Sequence, residues 1–396
     1  MKEDTKIIHG GGENARNHGV VNTPVYRAST IVFKDSSALQ AAAEGAVGSH
    51  EKVLFYGRKG TPTTWTLEQA ITELEQGYDT VLAPSGLSAV TTALLAFLKS
   101  GDHLLMADSV YEPTRNFCDG TLARFGVKTT YYDPLIGEGI AALMTPETKI
   151  VFTESPGSHT FEIQDLPAIS AAAHRANPDA VVMIDNTWAS PLFHKPLTLG
   201  ADVSIHACTK YIVGHSDALL GSMTANETHF ETLYRGRQQL GVAAGPDDVY
   251  LATRGIRTLG VRLRQHQANT LEIARWFQDR PEVKRVLYPA LPEDPSHGLW
   301  KRDFYGASGL FGVVFKQTSR EAVYALIDGL EYFPLGYSWG GYESLICASS
   351  PNHARTATKW TEPEPGIRIH VGLEDPADLI ADLSSGLDRF NAALKA

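Results

Sequence analysis

The chain is predicted to be an α/β protein with a mostly parallel central sheet and a smaller C-terminal α/β domain. Three observations predict it. Short apolar runs alternate with helical patterns from residue 61 to about 255, which suits strands covered on both faces. The pattern changes near residue 256 to long helices with a few interspersed strands. At 396 residues and 43.1 kDa the chain exceeds one ordinary core.

Taken in order, residues 1–60 are rich in Gly, Asn, Ser and Thr and lack long periodic patterns. They read as an arm with little core of its own, of the kind that packs on a neighbouring subunit. Residues 61–255 form the next unit. "LEQAITELEQG" is helical and predicts a stop at Gly77. "DTVLAP", "DHLLMAD", "KTTYYD", "TKIVFTESPG", "AVVMIDNTWAS", "ADVSIHACTKY" and "ALLGSMTAN" each contain a predicted strand. Between them, "SGLSAVTTALLAFLKSG" and "LPAISAAAHRANP" are helical. Residues 256–396 form the C-terminal domain. It opens on one long helical pattern, "GIRTLGVRLRQHQANTLEIARWFQDRPEV". Strands follow in "GLFGVVFK" and "GIRIHVGLED", and helices in "SREAVYALIDGL" and "PADLIADLSSGLDRFNAALK".

Composition narrows the function classes. The apolar fraction is 43%, the charged fraction 20% and the net charge −10, so an anionic nucleic-acid or membrane surface is a poor partner. The arginines of "RGIRTLGVRLRQHQ" are the local exception. With no interleaved aromatics they read as a salt-bridged helix face or a subunit contact. Three scattered cysteines, without C-x-x-C or zinc spacing, suit a reducing compartment. The start lacks the apolar stretch of a signal peptide, so a cytoplasmic location is expected. His194, His206 and His215 fit no common zinc spacing and read as ordinary loop histidines, so no metal site is expected.

In parallel α/β sheets ligands bind beyond the carboxyl ends of the strands. Three groups stand at such ends. Ser85 and Gly86 mark a strand-to-helix turn with free N–H groups for a phosphate. Asp185 ends a buried apolar run, where a carboxylate needs a cationic partner. Lys210 lies in the nearly uncharged stretch "HACTKYIVGHSDALLG", beside Thr209, whose hydroxyl suits a phosphate. Each also has a plain structural reading: an N-cap serine, a turn aspartate, a surface lysine. Together they describe a cofactor with a phosphate, a cationic ring nitrogen and an aldehyde, which is pyridoxal 5′-phosphate. Tyr111 offers an aromatic face over such a ring.

The motifs "LFYGRKGTPT", "SGLSA", "VYEPT", "ESPGS", "IDNTWASP", "TKYIVGHSD", "RGIRTLGVRLRQH", "YSWGGYESL" and "IRIHVGLED" resemble one family across essentially the whole chain. It is the pyridoxal-phosphate enzymes of cysteine and methionine metabolism, of fold type I (aspartate aminotransferase-like). Within it, "FYGRKGTPT" and "YSWGGYESL" most resemble the bacterial cystathionine β-lyases. The resemblance implies Lys210 as the covalent anchor and catalytic base, and Tyr111 as a second catalytic group. Asp185 would meet the ring nitrogen, and Gly86, Leu87 and Thr209 the phosphate. Tyr56 and Arg58 would reach a neighbouring subunit's phosphate within a homotetramer built as a dimer of dimers. Arg368, Ser338, Trp339 and Tyr337 would bind an amino-acid substrate, Arg368 through its α-carboxylate, with Tyr337 and Trp339 narrowing the pocket. The implied reaction is β-elimination of L-cystathionine to homocysteine, pyruvate and ammonia. Rival readings are a γ-acting lyase or synthase, a broader cysteine-S-conjugate β-lyase or desulfhydrase, and a non-catalytic regulator that binds the cofactor.

Overall fold

A seven-stranded sheet carries the site, its strands lying side by side in the order Asp79–Ala83, Gly221–Ala225, Val203–His206, Val181–Asp185, Thr148–Glu154, His103–Ala107 and Lys128–Tyr132. The structure, a computed structural model, describes residues 1–12, 19–46 and 52–396. Residues 13–18 and 47–51 of the expected arm lie outside the described residues. The strands are β1 (Asp79–Ala83), β2 (His103–Ala107), β3 (Lys128–Tyr132), β4 (Thr148–Glu154), β5 (Val181–Asp185), β6 (Val203–His206) and β7 (Gly221–Ala225). β3, β2, β4, β5 and β6 run parallel, and β7 pairs antiparallel with both β6 and β1. The sheet is mostly parallel as expected, with β7 the exception. β1, β2 and β7 are buried at every position; β2 is accordingly almost wholly apolar, while the buried hydroxyls of β1 and β7 satisfy each other, Thr80 Oγ1 lying 2.8 Å from Thr224 Oγ1.

The second sheet is antiparallel, ordered β10-β11-β9-β8, from β8 (Val283–Leu287), β9 (Leu310–Phe315), β10 (Leu345–Ser349) and β11 (Gly366–His370). β8 escapes the sequence reading, because "VKRVL" is short and half exposed, as an edge strand is. The helix Leu259–Gln278 crosses this sheet, and the C-terminal helix Pro376–Lys395 covers it with Arg320–Ile327. The long helical pattern is broken at its start: one helix ends at Ile256 and the next begins at Leu259. Trp188 joins the sheets by donating its indole N–H to the Leu310 carbonyl at 2.9 Å.

The helix Pro62–Glu75 stops one residue earlier than its glycine suggests. Gln76 takes the left-handed conformation (φ 56°), and Gly77 serves close approach instead, since a Cβ there would lie 2.4 Å from Thr224. The arm is partly anchored on its own chain. Helix Glu3–His9 buries Ile7 in the core, and Glu3 pairs with the buried Lys195 at 2.8 Å. The basic stretch serves the same end: Arg257 donates to the Ile7 carbonyl and Arg264 pairs with Asp4 at 2.9 Å. Arg262 of the same stretch donates to the Gly255 carbonyl at 2.7 Å, so these three arginines make structural contacts within the chain.

A buried carboxylate ties the C-terminal part to the large sheet. Asp108, just beyond β2, accepts from the backbone N–H groups of Thr356, Ala357 and Thr358, from the Thr358 hydroxyl and from Arg115. Among the described residues no helix is long and apolar enough to cross a membrane.

Candidate active site

The carboxyl ends of β1, β2, β4, β5 and β6 open into a cavity of about 230 Å³ at the junction of the two sheets. Its wall includes Ser85, Gly86, Leu87, Tyr111, Asp185, Thr209, Lys210, Trp339 and Arg368, all singled out from sequence. The wall residues from Ser85 to Lys210 meet because the parallel strands of the large sheet end on the same side, while Arg368 is brought in by β11 of the second sheet and Trp339 by the turn ahead of β10.

Ser85 caps the helix Gly86–Phe97, its Oγ accepting from Ser88 N–H at 3.1 Å. The plain reading of Ser85 therefore holds, and the helix start it fixes faces the cavity. Gly86 permits close packing there: a Cβ would sit 2.4 Å from the Ala207 Cβ. Asp185 closes β5 and accepts from Thr187 N–H at 3.0 Å and from the Thr187 hydroxyl. Burial pushes its carboxyl up, and the two Thr187 bonds with nearby His206 and Lys210 hold it down.

Lys210 Nζ donates to Ser338 Oγ at 2.6 Å and lies 5.2 Å from the centre of the Trp339 ring. Burial pulls its amine down to about 8; the Arg368 charge acts the same way, and Asp185 opposes them. The Ser338–Gly340 turn presses on the lysine. Ser338 has a positive φ of 123°, and a Cβ at Gly340 would lie 2.9 Å from the Lys210 backbone. Buried His370 holds the turn through Nε2, which lies 3.2 Å from the Gly340 nitrogen and 3.1 Å from the Gly341 carbonyl oxygen. Its imidazole is kept neutral, pushed down to about 3 by burial first and by His266 next. Among the described residues, no hydrogen bond or ion pair engages the Arg368 guanidinium, which is available to an anion in the cavity.

Four expectations change against the geometry. The Tyr337 side chain is 95% exposed and stands outside the cavity wall, so any narrowing falls to Trp339. Thr209 already donates its hydroxyl to the Leu220 carbonyl and accepts from Leu220 N–H, so a phosphate must compete for its proton. The Tyr111 phenol is pushed up, by burial first and then by Glu154 and Asp185, which makes it a poor base in the chain itself. His206 and His194 are buried, not loop residues: His206 pairs with buried Glu75, and His194 stacks on Phe304. Among the described residues no cluster of side chains suits a metal.

Tyr56 and Arg58 do not reach this cavity. Arg58 donates instead to Gln238, to its carbonyl at 3.0 Å and its side chain at 2.9 Å. Sequence reading also missed wall residues that the structure supplies, namely Glu154, Ser158, His159, Thr187 and Trp188. Glu154 was open to the same argument as Asp185, since both end a buried strand. His159 was not, because its position depends on a left-handed backbone (φ 67°).

Residues 4–388 match the family described as Cys/Met metabolism PLP-dependent enzyme. The chain belongs to this family.

Its fold is that of fold-type I enzymes. A solved cystathionine γ-synthase from Xanthomonas oryzae pv. oryzae matches with a TM-score of 0.89 at 30% identity, over 99% of each chain. Among curated relatives, a protein named putative cystathionine beta-lyase from Rhizobium johnstonii is 49% identical over 98% of this chain and 96% of its own. Cystathionine beta-lyase MetC from Escherichia coli is 46% identical over 98% and 99%. The family's cofactor, pyridoxal 5′-phosphate, fits the residues present. The helix start at Gly86 faces the cavity with its free N–H groups, Lys210 supplies an amine of lowered basicity, and Asp185 a half-buried carboxylate.

Proposed function

We propose that this chain splits L-cystathionine by β-elimination, taking up one water and releasing homocysteine, pyruvate and ammonia. The observation that carries the reading is Lys210 Nζ, with its amine pulled down to about 8, sharing one cavity with Asp185 and Arg368. The names of the 46% and 49% identical relatives support the choice of substrate.

Bound in this cavity, pyridoxal 5′-phosphate supplies an aldehyde that condenses with amines and a cationic ring that accepts the electron pair left at Cα. Lys210 would be the amine that anchors it, Gly86 and Leu87 would present N–H groups to its phosphate, Asp185 would offer a carboxylate to its ring nitrogen, and Tyr111 would offer an aromatic face to its ring. Arg368 takes the substrate α-carboxylate through two parallel N–H bonds. Lys210 Nζ, poised near neutrality, takes the proton from Cα and returns one to the departing sulfur. Ser338, which accepts from Nζ at 2.6 Å, aims the amine for both transfers. γ-Elimination needs a second deprotonation, at Cβ, with the substrate shifted along the ring. The Trp339 indole, 5.2 Å from Nζ, is the bulky group in the cavity wall that would narrow the room for that shift.

The arm supports a shared site between subunits. Val21 and Val32 are 89% and 91% exposed, and Arg58 is held away from its own cavity, so Tyr56 and Arg58 serve a neighbour's phosphate in a dimer within a homotetramer. Incubation with L-cystathionine and chromatography of the keto acid tests the reaction. Pyruvate is expected; dominant 2-oxobutyrate would overturn β-elimination.

A further inference from the structure

Glu154 is the last residue of β4 and the lateral neighbour of Asp185, the last residue of β5, in the parallel register. In-register residues on adjacent strands face the same side, so the two carboxylates stand together in the cavity wall. Glu154 is only 8% exposed. Its Oε2 accepts from the Tyr111 backbone N–H at 2.7 Å, and its Oε1 accepts from the Ser158 hydroxyl at 2.6 Å. Among the described residues, no basic side chain forms an ion pair with either Glu154 or Asp185. A buried carboxylate beside a half-buried one lowers stability in the protein alone.

We propose that Glu154 is a positioning residue, holding Tyr111 over the cofactor ring while adding a second negative charge that favours the cationic ring beside Asp185. The inference rests on the assignment of this cavity to the cofactor. Two strand ends explain the dual role. β4 aims one carboxylate at the loop after β2 that carries Tyr111, and β5 aims the other at the ring nitrogen. Burial, and then the Asp185 charge, push Glu154 up to about 8, so in the cofactor-free chain it is largely protonated at neutral pH. The sign follows: its folded value lies above the unfolded one, so it lowers the stability of the cofactor-free protein increasingly as pH rises from about 4.5 to about 8. A positive charge held in this cavity would relieve this repulsion.

Two variants separate position from charge. Glu154→Gln retains an acceptor for Tyr111 N–H and, with the Ser158 hydroxyl reversed, a bond to Ser158, but carries no charge. Glu154→Ala loses both bonds. Full-length protein is stripped of cofactor, its melting temperature is measured at pH 8, and pyridoxal 5′-phosphate is titrated back by visible absorbance and circular dichroism. Glu154→Gln is expected to melt about 1–3 °C higher than wild type without cofactor. The same variant is expected to bind pyridoxal 5′-phosphate about tenfold more weakly. Glu154→Ala is expected to weaken binding further and to diminish the visible dichroism that reports Tyr111 against the ring. A merely structural Glu154 gives the opposite sign in the first measurement, a lower melting temperature for Glu154→Gln, and that result overturns the proposal. Cofactor affinities within twofold of wild type for both variants also overturn it. Wild-type protein that fails to bind pyridoxal 5′-phosphate at all would instead remove the cofactor assignment.

Discussion

Replacing Gly340 by alanine tests whether the turn against Lys210 sets the reactive geometry. Gly340 has φ +87°, and an added Cβ lies 2.9 Å from both the Lys210 Cα and its carbonyl carbon and 3.0 Å from its Cβ. These neighbours are backbone or nearly so, and cannot rotate away. A left-handed alanine costs about 1–2 kcal/mol, and overpacking a fixed contact adds about 1–3 kcal/mol. The sum of roughly 3 kcal/mol corresponds to a fall in melting temperature of roughly 3–4 °C in a chain of this size. The turn can lessen that cost by withdrawing from Lys210. Withdrawal carries Ser338 off its 2.6 Å bond to Nζ and shifts Trp339. A misplacement of about 1 Å at such a site costs about a hundredfold in rate. Differential scanning fluorimetry and initial rates of pyruvate formation from L-cystathionine measure both. A Gly340→Ala protein within 1 °C and twofold of wild type would refute the reasoning, because neither route would then have been taken.

Two further outcomes bear on the lysine and the arm. In cofactor-stripped protein, Lys210 is expected to react with an amine-labelling reagent half-maximally near pH 8, since the amine is protonated and unreactive below its lowered value and free above it; mass spectrometry of the Lys210 peptide across pH reads this, and a midpoint above pH 10 contradicts a desolvated amine. Lys210→Ala and Arg58→Ala chains, each with under about 1% of wild-type activity, are expected to regain activity when mixed under conditions of subunit exchange, because one hybrid site then holds an intact lysine and a neighbour's intact arginine. Demonstrated exchange without regained activity sinks the shared site.

The sheet and much of the site were legible because parallel strands impose a rule readable in one dimension: a buried run followed by a polar residue ends at the ligand side. Lys210, Asp185 and the Ser85–Gly86 turn all obey it. Glu154 obeys it too, and its meaning emerges only from the register that sets it beside Asp185. The contact of Lys210 with Ser338 spans 128 positions and depends on how the two sheets abut, which no local pattern encodes. Tyr337 shows the converse limit. Its neighbour Trp339 faces the cavity, yet the irregular turn lacks the strict alternation of a strand and leaves Tyr337 in solvent. Gly77 was read as a helix stop because glycine usually is one; here crowding by Thr224 and Leu197 decides its identity.

The Asp108 clasp has a consequence for how the molecule breathes. The amides of Thr356, Ala357 and Thr358 lie in an irregular segment, where exchange with solvent deuterium is ordinarily fast. All three donate to one carboxylate that is fully shielded from water, so they exchange together, through a single opening that parts the segment from the end of β2. Those amide bonds and the Thr358 hydroxyl hold the Asp108 carboxyl below its usual range, against the opposing effect of burial. The clasp thus stays shut in acid that already protonates ordinary aspartates, and it releases only as pH falls through the depressed value. A loop without helix or strand thereby acquires the slow, collective motion usually reserved for a core element.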